Sequence, residues 1–232
     1  MAQDQRNGTG TFVLVHGAWA GAWSWVRVVD LLTARGHRVF APALSGLGER
    51  SHLAGCNVNL TTHVNDIVNE IKWEDLDQIV LVGHSYGGLV ITRVAEQVRE
   101  RIASIVYLAA FIPANGQAFV DFAPGWNVTG EMVAPPPTAE GDYLREGDRA
   151  WVDGKATPQP TATLTEKLRV TGAYQRVPRK TFIRATGWAG PFDAAVATAR
   201  SDPSWTVYEI ACGHDVAIDK PDELAAILEA SI

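Results

Sequence analysis

Short, continuously apolar runs alternate along this chain with longer stretches in which apolar residues recur at helical spacing. Residues 11–16 (TFVLVH) form a β-branched run that stops at Gly17, and 23–34 follows with spacing compatible with one helix face. Arg35-Gly36 reads as a helix stop, and 38–41 as a second strand. Residues 44–59, rich in Gly and Ser, predict a loop. Thr61 or Thr62 is expected to cap a helix carrying Val64, Ile67, Val68 and Ile71 on one face. Residues 79–82 predict a buried strand, 87–99 a helix and 104–111 another strand. The rhythm returns late, with a strand at 181–185, a helix around 192–200, a strand at 206–210 and a closing helix from about Asp222.

Strands that are apolar along their whole length and separated by helices are covered on both faces, which means a parallel sheet. The expected class is therefore α/β, with a mostly parallel central sheet flanked by helices. Residues 112–177 break the rhythm and contain Pro135-Pro136-Pro137, Pro158 and Pro160. A long insertion after a core strand usually covers a site rather than building the sheet. The expected organisation is one domain over 1–232 with a small cap insertion at 112–177.

Composition narrows the function classes. The 232 residues are 47% hydrophobic, enough for a sizeable buried core. Twenty Lys and Arg against 26 Asp and Glu leave a net charge of −6, without the basic stripe that phosphate binding needs, so a nucleic-acid partner is not expected. Residues 1–10 are polar, with no basic region followed by an apolar one, which predicts a cytoplasmic protein. The longest near-apolar run, 105–114, is too short to span a bilayer, so no membrane partner is expected. Cys56 and Cys212 are not spaced as a metal-binding pair and are read as buried free thiols. A homodimer is left open.

The sharpest chemical signal is Gly83-His84-Ser85-Tyr86-Gly87, which fits G-x-S-x-G. It follows the strand at 79–82 and opens the helix at 87, the context in which a serine sits on a tight turn and projects from the carboxyl end of a sheet. Ser85 needs a base. His37 and His52 lie in loop-like segments, His63 near a helix start, His84 inside the turn and His16 at the end of the first strand. His214 follows the last strand within Cys212-Gly213-His214-Asp215 and comes last in chain order, so it is the expected general base. An oxyanion needs two backbone N–H donors. Tyr86, directly after the serine, is expected to supply one. Ala18, in His16-Gly17-Ala18-Trp19, is expected to supply the other, because that segment is similar to an HG-x motif.

Taken together, FVLVHGAWAGAWSW at 12–25, LSGLGERSHL at 44–53, VLVGHSYGG at 80–88, VYLAAFIP at 106–113 and GHD at 213–215 resemble the α/β-hydrolase superfamily. The likeness is to the branch of plant methylesterases, hydroxynitrile lyases and their bacterial esterase relatives. It implies an α/β-hydrolase fold and a Ser–His–acid esterase that works without metal or cofactor. The lyases of that branch carry Thr where Gly17 stands and Lys where Asp215 stands, which argues against a lyase. Superfamily enzymes with an Asp nucleophile are excluded by Ser85. At the positions where the superfamily carries its acid, this chain has Trp188, or Ala109 and Ala110, none of them a carboxylate. Asp193 is the expected substitute; Asp121, Asn115 as a neutral orienter, and a Ser–His dyad stand beside it.

The expected activity is cleavage of small to medium hydrophobic esters through a Ser85 acyl-enzyme, with a small-molecule ester as the only partner required. Trp19, Phe111 and Trp188 are expected to bind substrate, in walls that also include Tyr86, Phe119, Phe122 and Trp126. The alternatives are a non-catalytic small-molecule-binding protein on the same fold, motivated by the missing acid, and a hydroxynitrile-lyase-like enzyme.

Overall fold

A computed structural model describes residues 8–55, 57–125 and 128–232. In chain order the first half contains β1 (Thr11–Val15), α1 (Val26–Ala34), β2 (Arg38–Phe40), α2 (Leu60–Trp73), β3 (Ile79–His84), α3 (Gly87–Val98) and β4 (Ile102–Leu108). An excursion follows, with β5 (Met132–Val133), α4 (Glu146–Asp153), β6 (Gln159–Pro160) and α5 (Thr161–Thr165). The chain then closes with β7 (Arg179–Ala185), α6 (Asp193–Ser201), β8 (Trp205–Ile210), α7 (Val216–Asp219) and α8 (Pro221–Glu229).

Six strands form one sheet in the order β2-β1-β3-β4-β7-β8, every neighbouring pair parallel. Every residue of β3 is buried, as its unbroken apolar sequence requires of a central strand covered on both faces. Outside the sheet, α1 packs with α8 and α2 with α3. The chain leaves β1 toward the β2 edge and then returns on the other side of β1 to start β3. That reversal opens a crevice beyond the carboxyl ends of β1 and β3, where ligands bind in open α/β sheets.

Several boundaries differ from the sequence reading. The cap of α2 is Asn59, neither Thr61 nor Thr62: its Oδ1 accepts from the Thr62 amide at 2.9 Å while Thr62 Oγ1 accepts from the Asn59 amide at 3.3 Å. Thr61 instead donates its amide to Glu166 at 2.8 Å. The strand expected at 104–111 ends at Leu108: the Ala109 amide makes the last bond to β7, to Ile183 O at 2.7 Å, and its φ of +40° then turns the chain away. Within the expected loop at 44–59, Gly48–Leu53 forms 3-10 turns in which Glu49 accepts the amides of Ala22 and Trp23 at 3.0 and 2.9 Å.

The excursion is tied to the core at two places. Gln159 Oε1 accepts from the Trp19 amide at 2.8 Å, and the Trp19 indole donates to the Val133 carbonyl at 3.0 Å, so the short antiparallel β5–β6 pair is stapled to the loop after β1. Arg27 of α1 forms a two-pronged ion pair with Asp148 of α4. Cys212 is a buried free thiol, and burial pushes its pKa up to about 12; Cys56 lies outside the described residues. Among the described residues no helix is long and apolar enough to cross a membrane.

Candidate active site

Ser85 stands between β3 and α3 with φ +52°, a left-handed conformation that costs a non-glycine residue energy and persists only where the surroundings enforce it. Here they do. The Ser85 amide donates to Leu108 O at 3.1 Å, and its carbonyl accepts from Gly88 at 3.0 Å and Phe111 at 3.3 Å. Strand and helix meet so closely at this turn that a Cβ on Gly83 would lie 2.7 Å from Gly87 O, and one on Gly87 would lie 2.7 Å from Val15 O. The two glycines of the motif are therefore required by contact distance, and the serine is left at the N-terminal end of α3.

The neighbouring loop, after β1, is built around His16. Its Nε2 accepts from the Leu44 amide at 3.0 Å, so Nδ1 carries the proton and donates to Gly17 O at 2.9 Å. Complete burial lowers its pKa to about 4, so it is a neutral brace for the loop rather than a reacting base. Gly17 abuts the serine: a Cβ there would lie 3.3 Å from Ser85 Cβ and 3.0 Å from His84 Nδ1. The amides of Ala18 and Tyr86 make no hydrogen bond to another described residue. The side chain of Tyr86, however, is not a wall of the site. It is fully buried beneath it, donating to His63 Nδ1 at 2.9 Å, while His63 Nε2 donates to Ser45 O at 2.8 Å. Burial lowers the His63 pKa to about 3, which keeps it neutral for that role.

His214 and Ser85 line the same cavity, of about 670 Å³, without a direct hydrogen bond between them. The His214 ring stacks on Trp188 at 4.0 Å between centroids with an interplanar angle of 29°, and lies 4.6 Å from the ring of His84. Its Nδ1 is buried with no hydrogen-bond partner among the described residues. Burial, then the neighbouring His84 and Arg184, hold its pKa well below the usual imidazole value.

The expected acid is not at this nitrogen. Asp193 opens α6 with its side chain 90% exposed and pairs with Arg184 at 3.3 Å. The physical reason is the residue before it: Phe192 turns inward and is buried, so its successor at the helix start faces solvent. The two alternatives are also engaged elsewhere. Asp121 accepts from the Ala118 amide at 2.8 Å, and Asn115 accepts from the Val170 amide at 3.0 Å. Arg184 donates to Ala185 O at 2.9 Å and Trp188 O at 3.0 Å, and so presents Trp188 to the imidazole where the resemblance led one to expect a carboxylate.

Two residues gain a place here that the sequence reading did not give them. His84, noted only as lying inside the turn, holds its Nε2 3.0 Å from the His214 carbonyl and 3.8 Å from Asp215 Oδ1. Asp215, noted only for not being Lys, accepts from the Tyr143 hydroxyl of the excursion, and burial, then the adjacent Asp215 carboxylate, push the phenol pKa upward. Its place after the histidine in Gly213-His214-Asp215 was the one available signal. The expected walls Trp19, Phe111, Phe119, Phe122 and Trp188 do line the cavity; Trp126 lies outside the described residues. Trp23, the three consecutive prolines 135–137 and Tyr143 join them, as do three carboxylates, Asp142, Asp153 and Asp215, and no described Lys or Arg does.

Comparison with known proteins agrees with the fold. The alpha/beta hydrolase family matches residues 12–227. A carbendazim hydrolyzing esterase from Nocardioides sp. (strain SG-4G) is 38% identical over 237 residues, covering 94% of this chain and 98% of that protein. Methylesterase 1 of Arabidopsis thaliana is 36% identical over 104 residues, 44% of this chain and 40% of its own length. An extracellular alpha/beta-hydrolase from a Paenibacillus species, with structural and functional homology to tobacco salicylic acid binding protein 2, superposes with a TM-score of 0.81. It is 27% identical and covers 96% of this chain and 98% of its own.

Proposed function

This chain belongs to the alpha/beta hydrolase family and is a carboxylic ester hydrolase, and from that premise we propose that it cleaves small to medium hydrophobic esters through a Ser85 acyl-enzyme with His214 as general base. The observation that carries the reading is the strained Ser85, held at φ +52° on the cavity that His214 also lines. Ser85 Oγ attacks the ester carbonyl as His214 Nε2 takes its proton. The tetrahedral oxyanion accepts from the free amides of Ala18 and Tyr86, with the N-terminus of α3 behind them. Collapse expels the alkoxide, which receives the proton from His214, and water then cleaves the acyl-enzyme by the same route. The Ser–His contact closes in the substrate complex, as is common where the empty site is looser. Because Nδ1 of His214 meets no carboxylate among the described residues, the pair works as a dyad. No metal or cofactor enters these steps.

The cavity supports a substrate class as well. Aromatic and proline walls favour an apolar ester, and a volume of about 670 Å³ suits a molecule of modest size. Asp142, Asp153 and Asp215, with no described Lys or Arg beside them, select against anionic substrates. The lyase-like alternative finds little support. A side chain at residue 17 would press on Ser85 and His84, and Asp215 puts a negative charge where a departing cyanide would need a positive one.

A second reading, a binding protein with little turnover, draws on the unpartnered Nδ1. A fluorophosphonate probe separates the two. Rapid labelling that is confined to Ser85 and absent from a Ser85→Ala variant supports the esterase. No labelling of the folded wild type, with p-nitrophenyl acetate left intact, supports the binder and sinks the esterase reading.

A further inference from the structure

A general base that presents Nε2 to a serine must carry its own proton on Nδ1. A carboxylate accepting from Nδ1 usually fixes both tautomer and orientation. His214 has none among the described residues, and a buried donor left unsatisfied is destabilising. Other contacts must therefore hold the residue. Trp188 covers its ring, which limits tilt but not the position of the main chain.

Within the loop the Val216 amide donates to the His214 carbonyl at 3.1 Å, a local bond that does not tie the loop to the sheet; the bond that does comes from His84. This residue ends β3, immediately before Ser85, on a central strand that is buried along its whole length and paired on both sides. Its Nε2 lies 3.0 Å from the His214 carbonyl. A carbonyl only accepts, so Nε2 is the protonated nitrogen and donates. Burial holds the ring neutral, which keeps this tautomer defined. The same nitrogen faces Asp215 Oδ1 at 3.8 Å, and Asp215 is in turn anchored by Tyr143, so the loop is pinned on both sides of the peptide that follows the base.

We propose that His84 is a positioning residue of the esterase: its Nε2–H fixes the main chain of His214 relative to Ser85, the task that a carboxylate at Nδ1 would otherwise perform through the ring. The proposal rests on Ser85 as nucleophile and His214 as base. One residue of β3 thereby registers the base loop against the neighbouring nucleophile, so the two reacting groups share a single strand end as their reference.

The test compares kcat, KM and Tm for a neutral p-nitrophenyl ester in His84→Gln, His84→Asn and His84→Phe. Gln places an amide donor near the site of Nε2, Asn is too short to reach, and Phe keeps the ring without the donor. Loss of the donor is expected to lower kcat about 30-fold in the Phe and Asn variants while KM moves less than about twofold, and Gln is expected to stay within about threefold of wild type. If the Phe variant does not fold, Asn against Gln carries the same contrast. Wild-type kcat in the Asn variant, or a Gln variant as impaired as Asn, overturns the proposal, since packing alone would then account for His84. Fluorophosphonate labelling of wild-type Ser85, run in parallel, keeps the outcomes apart. An unlabelled wild type removes the esterase premise, whereas a labelled one with indifferent His84 variants removes only the role of His84.

Discussion

The nucleophile turn and the base loop meet at one cavity but are held by different physics. Ser85 is enclosed by three main-chain hydrogen bonds and by glycine contacts too close for any side chain. The His214 carbonyl accepts from the His84 ring and from the Val216 amide two residues on, its imidazole stacks on an indole, and its Nδ1 has no partner among the described residues. The first is over-determined and can store backbone strain; the second is positioned by a few replaceable contacts. Under the proposed mechanism strain and precision are concentrated at Ser85, while His214, with no carboxylate on its Nδ1 among the described residues, is the element that substitutions should tune.

The contrast is open to attack at both ends. The largest effect should come from the reacting groups themselves: Ser85→Ala or His214→Ala should each lower kcat about 10⁴-fold, with the fold intact by circular dichroism. A His214→Ala enzyme with wild-type turnover would show that the base lies elsewhere. Next comes the rigid turn. Gly87→Ala places a Cβ 2.7 Å from Val15 O and should destabilise the protein by roughly 1–3 kcal/mol in urea unfolding, with Ser85 labelling slowed. An unchanged midpoint would mean the turn is looser than its contacts imply.

Acidification probes the two regions differently. The depressed His214 pKa keeps the base neutral below pH 6.5, so kcat/KM should hold its plateau into that range instead of falling with an ordinary imidazole titration. Stability moves the other way. His16 and His63 are lowered to about 4 and about 3, so the unfolded chain binds more protons below pH 6.5 and stability falls as pH drops toward those values. His16 alone contributes a loss of about 3 kcal/mol across that window. Tm measured from pH 7 to pH 4 should therefore decline while the active fraction keeps its turnover; a flat Tm would contradict the buried neutral histidines. The smallest effect is expected at Asp193→Asn, within about twofold of wild-type kcat, because that carboxylate faces solvent and Arg184. A hundredfold loss there would restore it as the triad acid.

Much of the fold was legible because its signals are local. The continuous apolar run at 79–82 suits a strand covered on both faces of a parallel sheet, and that is where β3 lies. Boundaries slipped where a single backbone angle or cap decides them, as at Ala109 and Asn59. Ser85 was readable for the same reason, since strand, glycine, serine, glycine and helix follow one another within a few residues. His214 was readable from its order in the chain after the last strand. The acid was not. Proximity in sequence suggested Asp193, but an inward Phe192 sends the next side chain outward, and no spacing rule registers that alternation at a helix start.

By itself, then, the sequence determined the α/β architecture, the serine turn between β3 and α3 and the glycines that let strand and helix touch, because each depends on neighbours along the chain. Tertiary structure alone decided that Trp188 rather than a carboxylate meets His214, that Tyr86 points down to His63 instead of into the cavity, and that His84, Asp215 and Tyr143 converge on the base loop. Those contacts join side chains from β3, the excursion and the loops after β7 and β8, and their geometry exists only once the sheet has set the distances between them.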